Sequence, residues 1–64
     1  MQVIISQRGH ALFHYQVIYK GRAIEEDVLF ANEEKTLIIV KTRARMIATR
    51  LGCQLDWPPT INRA

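Results

Sequence analysis

Three features of the chain predict an α+β domain of β-β-β-α order, a three-stranded antiparallel sheet followed by one covering helix. Val, Ile and Thr supply 16 of the 64 residues against five Leu, a balance that favours strands. Apolar positions alternate through the first half, then recur at steps of three and four from Leu37 onward. Gly9 and Gly21 fall between the alternating runs, where hairpin turns are needed, and Gly52 closes the helical pattern.

The first strand is read from Gln2 to Gln7 and the second from Ala11 to Tyr19, joined by a three-residue turn, Arg8-Gly9-His10, with the glycine taking positive φ. With Lys20-Gly21 as the tip of the second hairpin, Tyr19 faces Arg22, Val17 faces Ile24, Tyr15 faces Glu26 and Phe13 faces Val28. Val3 and Ile5 join Phe13, Tyr15 and Val17 on that apolar face. The other face pairs Ile18 with Ala23, Gln16 with Glu25, His14 with Asp27 and Leu12 with Leu29, and Ile4 belongs to it. Glu26 is out of place in this register, because it stands beside Tyr15 on the apolar side.

Asn32 before Glu33 and Glu34 makes a helix start: the Asn side chain accepts orphan amide protons, and acids suit the positive end of the dipole. Leu37, Val40, Ala44, Ile47, Ala48 and Leu51 then lie on one stripe, and Gly52 is the stop, giving a helix over 33–51. A rival reading makes TLIIVK, residues 36–41, a fourth strand with a short helix after it. The domain is therefore read as 1–52, followed by a tail over 53–64 in which Pro58-Pro59 interrupts both helix and ladder. Leu55, Trp57 and Ile61 give that tail the means to fold back on the domain.

Composition and length narrow the function classes. Sixty-four residues form one core, and a single cysteine, Cys53, allows no internal disulfide and fits a reducing compartment. No apolar run approaches the roughly 18 residues of a membrane span and no basic-then-apolar leader opens the chain, so a cytoplasmic protein is expected.

Candidate chemistry is sparse. His10 and His14 stand four apart, which suits a shared metal on a helix but separates them by about 13 Å on a strand. Consecutive Glu25, Glu26 and Asp27 alternate faces and meet no second source of ligands, so they read as a solvated stretch that discourages edge pairing. Cys53 has no partner for nucleophilic catalysis. No glycine-rich phosphate loop or nucleophile elbow is present. A non-enzymatic protein with no cofactor and no metal is expected.

Charge is dipolar along the chain. Five of six acids lie within 25–34, whereas Lys35, Lys41, Arg43, Arg45 and Arg50 follow with no acid among them. Acids at the helix start and bases toward its end complement the dipole. A basic helix also permits nucleic-acid contact through Lys41, Arg43, Arg45 and Arg50, although these spread over more than half its circumference.

The unassigned apolar residues point elsewhere. One helix covers one sheet face, leaving Ile4, Leu12, Ile18 and Leu29 on the other, while Ile39 and Met46 fall outside the helix stripe and Trp57 sits in the tail. A domain this small is marginal alone, so these residues are expected to meet another protein or a second copy.

The strand run around YQVIYKGR with the helix after it resembles small bacterial and phage accessory domains, and in topology alone the arm-type DNA-binding domains of phage integrases. That likeness spans about 45 residues without a diagnostic motif and implies no functional residue. The expectation is a protein-interaction module, self-associating or hetero-associating, with weak, salt-sensitive nucleic-acid binding as the alternative.

Overall fold

The computed structural model describes residues 1–63. Strands β1 (Gln2–Gly9), β2 (Leu12–Tyr19) and β3 (Arg22–Phe30) precede helix α1 (Glu33–Leu51), and a short strand β4 (Thr60–Asn62) ends the fold. The sheet order is β3-β2-β1-β4. The β-β-β-α order is as the sequence predicts, and the sheet gains a fourth strand from the tail. β4 pairs parallel with β1, Ile61 opposite Ile5.

Alternation along β1 and β2 sends Val3, Ile5, Phe13, Tyr15 and Val17 to one face, where each is almost fully buried. Against them α1 packs Val40, Ala44 and Ala48, with Leu37 and Ile47 at the margins. The small residues at 44 and 48 let the helix approach the sheet closely, and it does so over β2. Burial of each large side chain in this layer stabilises the fold by about 1.5–3 kcal/mol.

The helix runs over the predicted residues, and residues 36–41 are helical. Asn32 Oδ1 accepts from the Lys35 amide at 2.8 Å. Gly52 takes φ 67°, and its amide and that of Cys53 close on the Thr49 and Ala48 carbonyls. Two positions depart from the expected stripe. Leu51 is 42% exposed, and Thr36 takes a fully buried place.

Both hairpins carry an irregularity that alternation alone does not reveal. The first turns at His10 and Ala11, with a register shift between Gln7 and Gly9, so Arg8 is the extra residue and Gly9 stays out of the positive-φ region. The second turns at Lys20 and Gly21, φ 52° and 76°, the paired positive angles of a type I′ turn. Tyr19 faces Arg22 and Ile18 faces Ala23 as expected, but a bulge at Ile24 shifts every later pair by one residue. Val17 faces Glu25, Tyr15 faces Asp27, Gln16 faces Glu26, Phe13 faces Leu29 and Leu12 faces Phe30. The conflict over Glu26 disappears, since it lies on the side away from the helix.

The tail is tied at several points. The Asp56 amide donates to the Met1 carbonyl at 2.8 Å, Trp57-Pro58 is cis, and Arg63 pairs through both guanidinium nitrogens with Glu33. Leu55, Trp57 and Ile61 pack against the core. Among the described residues no helix is long and apolar enough to cross a membrane.

Candidate interaction surfaces

The sheet leaves two surfaces among the described residues, the face away from α1 and the margin where β3 extends beyond the helix. The open face follows from the bulge. Ile4, Leu12 and Ile18 lie on it half-buried, as the alternation predicts. Leu29 does not: the shifted register turns it toward Phe13 and the core, and Val28 and Phe30 take its place. Phe30 is 84% exposed at the end of β3 beside Leu12, and Val28 is 45% exposed beside His14. The polar part of this face is one cluster, Glu26 bonded to Gln16 at 3.0 Å and lying 3.3 Å from His14 Nε2. The expected pairing of His14 with Asp27 is replaced by this contact, again through the one-residue shift.

At the β3 margin the same shift places Glu25 and Asp27 on the helix side. Tyr15 Oη donates to Glu25 Oε2 at 2.8 Å and accepts from Arg43 Nη1 at 3.1 Å. Arg43 Nη1 also reaches Asp27 Oδ2 at 3.2 Å, and its guanidinium lies over the Tyr15 ring. Burial pushes the Tyr15 phenol above its ordinary range; Arg43 opposes that rise, and the bond to Glu25 adds to it. The Arg43 guanidinium is held charged, chiefly by its bond to Tyr15 and also by Asp27. A cleft of about 340 Å³ opens here, bounded by these residues with Met46, Ile47 and Arg50. Its polar groups largely satisfy one another, so they act as a clamp that fixes β3 to the helix.

The remaining sequence candidates scatter. Ile39 is half-buried, whereas Met46 is 60% exposed at the cleft and Ile38, on the outer helix face, is equally exposed. Trp57 is half-buried under the Lys41 ammonium, 5.6 Å from the ring centroid. Lys41 and Arg43 are thus engaged within the fold, at opposite margins of the helix, while Arg45 and Arg50 are exposed with no ion-pair partner among the described residues. No group of three metal-ligating side chains converges among the described residues. Phe30 and Val28 escaped the sequence reading because their face depends on the bulge. The signal that could have found them was the misplacement of Glu26 itself.

No family model, curated protein or solved structure matches the chain.

Proposed function

We propose that this chain is a non-enzymatic protein-interaction module that associates with a second copy of itself through the open face of its sheet. The observation that carries the reading is Phe30, a large aromatic side chain 84% exposed at the end of β3, continuous with Leu12 and Val28. Ile4 and Ile18 extend the apolar area across the sheet. A second copy turned by a two-fold axis offers the same apolar groups in return, which an isologous contact requires.

The size of the face sets the strength. Three strands at about 4.8 Å spacing and about 26 Å length give a footprint of roughly 400 Å² per copy, half that of a standard stable interface. A weak, concentration-dependent dimer follows. Light scattering from about 10 μM to about 1 mM tests it: the mass rises with concentration for the native chain and stays monomeric for Phe30→Ser. A strict monomer over that range rejects the reading.

A second reading, nucleic-acid contact through α1, rests on Arg45 and Arg50, which are exposed on a helix with no acid after Glu34. Two free cations are few, because each phosphate contact adds about 0.9 to the salt slope. Anisotropy of labelled DNA or RNA at about 50 and 200 mM salt decides it, with loss of binding in Arg45→Ala/Arg50→Ala as the supporting result.

A further inference from the structure

β3 is the long free edge of the sheet. It is nine residues in length, with β2 on one side and no strand on the other among the described residues, whereas the opposite edge is formed by the three residues of β4. A free edge of this length is a template for another strand unless something blocks it. The centre of β3 holds Glu25, Glu26 and Asp27, and the register assigns the first and third to the helix side and the second to the open side.

These acids have opposite consequences for two occupants. A second copy pairing its own β3 antiparallel about Glu26 sets Glu26 against Glu26 and Glu25 against Asp27, which directly opposed like charges disfavour. A strand carrying Lys or Arg at its centre meets carboxylates on both faces instead. Among the described residues Arg43 pairs with Asp27, while Glu25 has no Lys or Arg partner and Glu26 lies beside Gln16 and His14. The cleft over the helix side of β3 adds room for an incoming side chain, with Met46 and Ile47 as an apolar wall for the stem of a long cationic residue and Glu25 near its head; Arg43 and Arg50 also line it, the first paired with Asp27, so the place for a cation is the Glu25 side. Apolar Ile24, Val28 and Phe30, all exposed, flank the acids along the strand.

We infer that β3 takes up an extended, basic segment of a partner protein as a fifth strand, with alternate cationic side chains directed to Glu26 and to the Glu25 side of the cleft. Main-chain pairing supplies the affinity and the acids supply the selection, the usual division in strand addition. The edge adjoins the open face proposed for self-association and shares Val28 and Phe30 with it, but strand addition uses the backbone of β3 whereas self-association uses the side chains of β1 and β2 as well, so the two are read by different measurements.

The probe is an acetylated, amidated peptide of β3's length with three consecutive lysines at its centre and valines on either side, so that lysines point to both faces. Controls are the same peptide with a valine beside the lysines replaced by proline and a peptide with glutamates in place of the lysines. Labelled peptides are titrated with the full chain by anisotropy, and backbone amide exchange is followed in the complex. The expected result is binding of the Lys/Val peptide, weakened about tenfold or more by the proline, which removes a ladder hydrogen bond, and by Glu26→Lys in the protein. Amides of β3 then gain protection while those of α1 do not. Equal binding of the proline peptide, or unchanged exchange along β3, shows attraction by charge alone and overturns the inference. Absence of binding overturns it too, and the acids then serve only to guard the edge. Dimer formation by the native chain in the same samples separates this failure from failure of the self-association reading.

Discussion

Arg43 and Tyr15 meet across the helix-sheet layer, Nη1 to Oη at 3.1 Å, and the same guanidinium nitrogen stands 3.2 Å from Asp27 on β3. β3 gives the core only the partly buried Leu29 and otherwise meets α1 through polar groups, so this contact is the main polar link from α1 to the edge strand. Arg43→Met keeps much of the side-chain bulk and removes the link. Because Arg43 is 41% exposed, the expected loss is about 1 kcal/mol, well below that for a buried charged pair. Urea unfolding measures it, and faster amide exchange confined to β3 identifies the cause. A loss without local change in β3 contradicts the clamp.

The Tyr15 phenol gives the fold an alkaline limit. Its folded pKa is raised, above all by burial, so the native state holds the proton where the unfolded chain has released it. The resulting stability is fully present below the ordinary tyrosine value near 10 and is lost as pH rises through the folded value. Lysines titrate in the same range, so the comparison is with Tyr15→Phe. The native chain should lose more stability than the variant between about pH 9 and 11, and parallel curves would count against the assignment.

Thr36 is fully buried, and its Oγ1 has no hydrogen-bond partner among the described residues. A desolvated hydroxyl without a partner costs more than the weak interactions it makes. Thr36→Val, nearly the same shape, is expected to raise stability by about 1 kcal/mol, read as a higher urea midpoint with an unchanged slope. A lower midpoint would mean that the hydroxyl has a partner.

Much of the fold is legible in local chemistry. Asn32 and Gly52 mark the helix because capping is decided by one side chain or one backbone angle, and Lys20-Gly21 marks its hairpin for the same reason. What is hidden is non-local. The bulge at Ile24 has no marker at its own position, only the misplacement of Glu26 after it, yet a one-residue shift exchanges the faces of everything that follows, sending Leu29 into the core and Phe30 out. β4 is three residues after two prolines, and its parallel pairing with β1 spans most of the chain, so nothing local announces it. The candidate surface was half legible: Ile4, Leu12 and Ile18 follow from alternation along β1 and β2, while Val28 and Phe30 need the register that only packing settles.

Dilution followed by two-dimensional NMR tests most directly whether the open sheet face is where the second copy sits. From about 1 mM to about 20 μM, self-association through this face moves the signals of Ile4, Leu12, Ile18, Val28 and Phe30 and leaves Ile38 and Arg45 on the outer helix face unmoved. Spectra that do not change on dilution, or changes centred on Ile38 and Arg45, would contradict it.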